Sequence, residues 1–451
     1  MKKDLTNFLI PFVYFIAGAT TLAGVATTFY YKQDLRLSIA QVQILGSIAI
    51  IPWSIKPIYG IISDTFPIWK LKRKPYLFLS GLLGCAGYSA LSTVVHSFTG
   101  AVIATMTSAA GFALADVIVD GVVAERSRTQ KEAGRLQSIC RASLLAGAII
   151  VSYASGILVE RIGARNVFFV TGSLPLLTSL LSLGVVELES ASTLRTSLKD
   201  FWQTAKAVLR PDVLWSAIFL FIWRATPTSG GAFSYYLIDE LHFTPEFFGR
   251  LALISHIMGI VGVFVFRRFL LSISLRKLFA WIIIASVVLS LPSLGLLYKW
   301  YELIHVSPKF FAMADTFVSA PLGEIGFLPL LVLVARICPK GIEATMFALL
   351  ASLMNIGLAI SDLGGAALVK YFDVHEATAV ATAVAGVMTQ IPANYENLHI
   401  VMWIAILSSF LPMPLLRFLP ETRVAEEITP GVSPSAQAPD VSTLEERRPI
   451  A

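Results

Sequence analysis

The chain has 451 residues, of which 56% are hydrophobic and only 14% charged, with a mean hydropathy of +0.73; soluble domains carry about 25% charged residues, so a water-soluble globular protein is excluded. The formal net charge of +6 does not point to nucleic acid, because the basic residues sort by loop in the manner of the positive-inside rule. Cys85, Cys140 and Cys338 are scattered in or beside apolar runs without metal-ligand spacing, which excludes a disulfide framework and a zinc site.

Apolar segments long enough for helices of about 20 residues begin near Phe8, Val42, Tyr76, Ala101, Ser138, Val167, Val213, Phe247, Leu278, Phe310, Ala344 and Asn397. The alternating polarity of a membrane β-barrel is absent, so the spans are expected to be helical. The expected fold class is therefore an all-α polytopic membrane protein with twelve transmembrane helices. With both termini on the cytoplasmic side, Lys70, Lys72, Arg73, Lys74, Arg126, Arg128, Arg267, Arg268 and Arg417 fall in loops or the tail on that side, whereas Lys56, Arg141 and Arg224 are left inside the membrane.

The start of the chain, a short basic stretch before an apolar run, has the form of a signal peptide, but an internal repeat marks it as a retained helix. Phe29 to Ser38, FYYKQDLRLS, recurs as Ser234 to Thr244, SYYLIDELHFT, and Glu132 to Ser138, EAGRLQS, has a loose partner in Glu343 to Leu349, EATMFAL. Both pairs are offset by roughly 210 residues, the sign of a duplicated six-helix unit. The expected organisation is a six-helix bundle over 1–186, a linker over 187–212 with an interfacial helix in SLKDFWQTAKAVLR, a second six-helix bundle over 213–419 and a disordered cytoplasmic tail over 420–451. Between Asp373 and Asn397 lies an external loop whose Ala/Thr/Val portion is compatible with a short re-entrant piece.

In the fourth span, GFALADVIVDGVVAERSR from Gly111 to Arg128 sets Asp116 and Asp120 four residues apart on one helix face. A charge near the bilayer centre costs on the order of 3 kcal/mol or more, so this face is expected to look into protein or a wet cavity. Counting along each helix at about 1.5 Å per residue puts Lys56, Asp116, Asp120 and Arg141 at similar depth, where two acids and two bases can neutralise one another. Arg224 and Glu324 fall near the middle of the seventh and tenth spans, and Asp315 and Asp362 lie further out.

Two motifs carry a family resemblance. Gly60 to Lys74, GIISDTFPIWKLKRK, resembles the loop motif after the second helix of the major facilitator superfamily, although Thr65 to Trp69 separate Asp64 from the basic run. By that resemblance Asp64, Lys72 and Arg73 belong to a latch that gates the cytoplasmic side. Ile51 to Gly81, containing PWSIKPIYG, together with Ala113 to Arg128, ALADVIVDGVVAERSR, is similar to the folate-biopterin transporter family, a branch of that superfamily. The resemblance implies the major facilitator fold of two pseudo-symmetric six-helix bundles, with Arg224 and Glu324 facing each other across a central cavity and forming a pair. It also implies a secondary active transporter that imports folate or pterins by alternating access, driven by protons.

The chemistry of such cargo matches the residues present. A pterin ring offers side-by-side N–H donors that fit one carboxylate, and the glutamate tail of folate carries carboxylates that suit Arg or Lys. Candidate substrate-binding residues are Lys56, Asp116, Asp120, Arg141, Arg224 and Glu324, with Trp53 and Trp223, and also Phe112, Phe233, Tyr235 and Tyr236, available for stacking. Asp116 and Asp120 are the candidate proton-coupling groups. Competing readings are a carrier of the same fold for another organic anion, sugar or drug, and a membrane receptor that only binds ligand. No nucleotide-binding glycine motif and no His/Cys/Asp cluster appears, so an enzyme is not expected, nor is a cofactor, a metal or a nucleic-acid partner. A monomer in a bacterial inner membrane is expected.

Overall fold

The computed structural model describes residues 6–126, 130–184, 202, 206–207, 209–337, 343–381 and 388–420. In lipid each backbone N–H and C=O must be paired within its own segment, and the apolar runs answer with helices. These are α1 Phe8–Asp34, α2 Ile39–Thr65, α3 Lys74–Thr93, α4 Phe98–Arg126, α5 Gln130–Ile162, α6 Ala164–Ser182, α7 Pro211–Ala225, α8 Gly230–Asp239, α9 Pro245–Leu270, α10 Leu275–Leu297, α11 Pro308–Ile337, α12 Glu343–Tyr371 and α13 Leu398–Phe418.

Among the described residues, 10 helices are long and apolar enough to cross a membrane. The other two expected segments are helical but fall outside that limit. Helix α3 is diluted by Gly and Ser, because it packs closely on its neighbours: a Cβ on Gly111 of α4 would come within 2.5 Å of the Ser80 carbonyl, and small residues are what let membrane helices approach. The seventh segment is split into α7 and α8 by an extended Thr226 ahead of Pro227. The carbonyls freed at this break are taken up by other helices: Ser361 of α12 donates to Thr226 O (2.5 Å) and Gln43 of α2 donates to Thr228 O (3.0 Å), so the break is held from both sides.

Between α12 and α13, Thr378–Ala381 (β1) pairs antiparallel with Met388–Ile391 (β2). The described part of this loop is thus a pair of antiparallel strands, the form that β-branched Thr and Val favour in a short segment with a partner strand. The expected interfacial helix of 187–212 falls almost wholly outside the described residues, and the tail beyond 420 lies outside them.

The two repeated stretches share a local form. In the first, α1 ends in a wide turn over Tyr30–Asp34, Arg36 adopts φ 49°, and Ser38 caps α2 in a reciprocal pair with Gln41. In the second, α8 ends at Asp239, His242 adopts φ 52°, and Thr244 caps α9. The two turns meet at one end of the molecule. Lys32 pairs with Asp239 at 2.7 Å, Tyr395 donates to the same carboxylate at 2.6 Å, Tyr235 donates to Leu37 O at 3.0 Å, and Ile39 N donates to Glu376 at 3.1 Å. Tyr395 lies outside the spans, and burial first, then the Asp239 carboxylate, pushes its phenol well above the ordinary tyrosine range. The phenol therefore stays protonated and serves as a donor, and this end is sealed.

Candidate functional site

Helix α2 interrupts its own ladder at Ile55, where Pro57 supplies no N–H and clashes with the preceding turn. The interruption projects Lys56 toward α4. There Lys56 Nζ meets Asp116 Oδ2 at 2.5 Å and lies 4.7 Å from the Trp53 ring centroid. One turn along α4, Asp120 accepts a hydrogen bond from the Tyr14 hydroxyl at 2.8 Å.

Asp116, Trp53, Phe112, Tyr14, Arg141 and Phe327 line a cavity of about 340 Å³, at the small end of the range for ligand pockets. Asp120 does not line it. Among the described residues, Asp116 Oδ1 accepts no hydrogen bond, so this wall carries a carboxylate with unused capacity beside two aromatic faces. A second cavity of about 290 Å³ is lined by Trp223, Arg224, Ser286, Ser290, Ser319 and Phe327. Trp223 there also packs edge-on against Phe279, with centroids 5.2 Å apart.

The expected Arg224 to Glu324 pair is not formed. Glu324 is paired instead with Arg141, at 2.6 Å. The reason is which neighbour each side chain leaves beside: Glu324 passes Gly259 of α9, whereas the Cβ of Arg224 lies against Gly357 of α12. Arg141, reaching from α5, is the cation within range, and its guanidinium sits 5.9 Å from the Phe327 centroid. The expected four-charge cluster therefore divides into a Lys56 to Asp116 pair within the first half and an Arg141 to Glu324 pair between the halves. Among the described residues, buried Arg224 Nε and Glu324 Oε2 have no hydrogen-bond partner. Each such group costs about 1–3 kcal/mol when left unmet.

Other expected residues lie elsewhere. Tyr235 and Tyr236 are buried in the sealed end with Phe233 packed beside them, and line neither cavity. Tyr14 and Phe327 line the first cavity although nothing in the sequence singles them out, since a lone aromatic in an apolar helix is usually packing.

Asp64 finds Arg73 at 2.9 Å. The insertion that separates them folds outward: Ile68 and Leu71 form a bridge, Trp69 and Lys70 take left-handed φ of 52° and 65°, and Trp69 is left 85% exposed. Arg73 is thereby returned to Asp64 and also donates to Ser63 at 3.2 Å, while its guanidinium covers Gly121 of α4. Lys72 is buried alongside. Removing the guanidinium by Arg73→Ala is expected to lower initial uptake about tenfold, the cost of one charge-assisted contact, with surface expression kept. Uptake normalised to surface protein checks this, and an unchanged rate refutes a part for this contact in transport.

A family model described as the BT1 family matches residues 17–434. A folate-biopterin transporter of Synechocystis sp. is 35% identical over 415 residues, covering 90% of this chain and 80% of its own. Folate transporter 2 of Plasmodium falciparum is 28% identical over 370 residues, covering 82% and 81%. Among solved structures, a D-xylose-proton symporter superposes with TM-score 0.63 at 16% identity over 92% of this chain and 97% of its own. The nucleoside transporter NupG gives 0.65 at 12% identity over 92% and 100%, a likeness of fold.

Proposed function

The chain belongs to the BT1 family, membrane transporters of the folate-biopterin type with the major facilitator fold and not enzymes, and from that premise we propose that it imports folate or pterins by alternating access, coupled to protons. The observation that carries this reading is Asp116, held by Lys56 at 2.5 Å on the wall of a cavity that also presents Trp53 and Phe112. A pterin ring slides between the aromatic faces and sets its paired N–H groups against the carboxylate. Arg224 in the second cavity, and Arg141 once released from Glu324, offer cations to carboxylates of the cargo.

Asp120 is assigned the coupling proton, with Asp116 as the group through which bound cargo senses it. The two acids are one turn apart, so a charge change on one alters the other. Lys72, Arg73 and Asp64 act as the latch of the basic side. The residues 1–186 and 213–419 move as two six-helix units about the cavities, linked through 187–212. Both termini face the cytoplasm of a bacterial inner membrane, which places the sealed end outside and makes the conformation an inward-facing one. The working unit is proposed to be a monomer.

The test is uptake of labelled folic acid and biopterin by a transport-deficient host, with and without a protonophore. Accumulation that collapses with the protonophore is expected; a protonophore-insensitive gradient overturns proton coupling, and uptake of neither compound overturns the substrate. Asp120→Asn is expected to abolish accumulation while sparing exchange. Uphill uptake at the wild-type rate by that variant removes Asp120 from the coupling role.

A further inference from the structure

Among the described residues, Phe327 alone lines both cavities, and the geometry points to it as a movable partition that decides whether cargo is limited to a ring or extends into a tail compartment. The inference rests on the folate or pterin reading and goes beyond it by assigning a length-selecting residue.

The two compartments differ in chemistry. The first offers a carboxylate and flat aromatic walls, and its cations are already engaged, Lys56 with Asp116 and Arg141 with Glu324. The second offers Arg224, whose buried Nε makes no hydrogen bond among the described residues although Asp362 is within electrostatic reach of the guanidinium, together with the hydroxyls of Ser286, Ser290 and Ser319. A planar heteroaromatic donor fits the first. A carboxylate fits the second, where the unmet donor lies. A molecule that carries both groups must pass Phe327. At about 340 and 290 Å³ each space sits near the lower bound for a small-molecule pocket, whereas the two joined fall well within the usual range.

The partition is built to shift. Phe327 is half-buried and stands between Pro321 and Pro329 of α11, which withdraw backbone hydrogen bonds from the helix around it. On the second-cavity side its neighbours are Gly323 and Gly326. A Cβ on Gly323 would meet nothing within 4 Å, so the ring has open space to enter. The Arg141 guanidinium that covers the ring is tied to Glu324 one turn earlier on the same helix. A tail carboxylate that draws Arg141 away therefore uncovers the ring it needs to displace, and ligand and partition are coupled through one arginine.

The experiment compares initial uptake of biopterin, folic acid and folate triglutamate by cells expressing the wild type, Phe327→Ala, Phe327→Leu and Phe327→Trp, each normalised to surface protein. Shortening the side chain is expected to raise the ratio of triglutamate to biopterin uptake about tenfold, and Phe327→Trp to lower the folic acid to biopterin ratio by about the same factor. Phe327→Leu keeps an apolar side chain and supplies the reading if the alanine variant fails to reach the membrane. Equal changes for all three compounds in every variant overturn the partition while leaving the substrate reading intact. A wild type that takes up none of the three overturns the substrate reading and the inference with it.

Discussion

Replacing Asp116 by asparagine is expected to cut initial uptake of both folic acid and biopterin about 100-fold, equivalent to about 3 kcal/mol of binding. The carboxylate accepts from Lys56 through Oδ2, and Asp116 lines the cavity with its second oxygen free of hydrogen bonds among the described residues. Asparagine keeps one acceptor for Lys56 but presents an N–H₂ to a ligand that itself donates, so attraction becomes repulsion of two donors. Lys56 is also left in a low-dielectric setting without its counter-charge, and breaking one partner of such a pair is more damaging than removing both. The double variant Lys56→Met with Asp116→Asn separates the causes. If the acid serves only to neutralise the lysine, the double variant recovers transport; if it binds cargo, expression recovers and transport does not. Wild-type uptake by Asp116→Asn refutes the assignment.

Loosening the sealed end is expected to have the next largest effect. Asp239 receives both Lys32 at 2.7 Å and Tyr395 at 2.6 Å, and Lys32 lies 4.1 Å from the Tyr235 ring centroid. Asp239→Asn removes the charge from two charge-assisted contacts, worth about 2 kcal/mol together after the neutral amide retains part of each. A shift of that size moves a two-state equilibrium more than tenfold toward the state open at this end. The measurement is the rate at which a membrane-impermeant thiol reagent modifies Leu37→Cys, in a background cleared of Cys85, Cys140 and Cys338. Leu37 is buried in the seal and its contact to Tyr235 is made by its backbone carbonyl, so the cysteine leaves that bond in place. Labelling is expected to rise at least tenfold with Asp239→Asn, and an unchanged rate shows that other contacts hold the seal.

The sequence made the fourth helix legible because two carboxylates in an apolar run admit few placements, and Asp116 does line a cavity. It also exposed the repeated turns, whose tyrosines and capping residues recur in order. The partners of the charges were less accessible. Arg141 and Glu324 are 183 positions apart, and their meeting depends on how α5 and α11 are rotated about their axes, which no local pattern records. The partner expected for Arg224 is not the one found, because counting residues gives a position along a helix but not the direction a side chain faces. The insertion after Asp64 obscured its pairing with Arg73 since non-glycine residues at left-handed φ, such as Trp69 and Lys70, have no strong signature. Phe327 gave no signal at all, being one phenylalanine among 29.

The contact between the repeated turns bears on how the molecule came to work. Laid over one another, the copies align Asp34 with Asp239 and Lys32 with Leu237, so a true two-fold axis would have demanded a mirror contact between Asp34 and position 237. Leucine there forecloses it. The clasp exists once rather than twice, because Leu237 stands where the second lysine would be. Two identical units, each carrying both the lysine and the aspartate, would close this fastening twice about the axis; in a single polypeptide one of the two lysine positions can hold leucine while Asp239 still finds its partner.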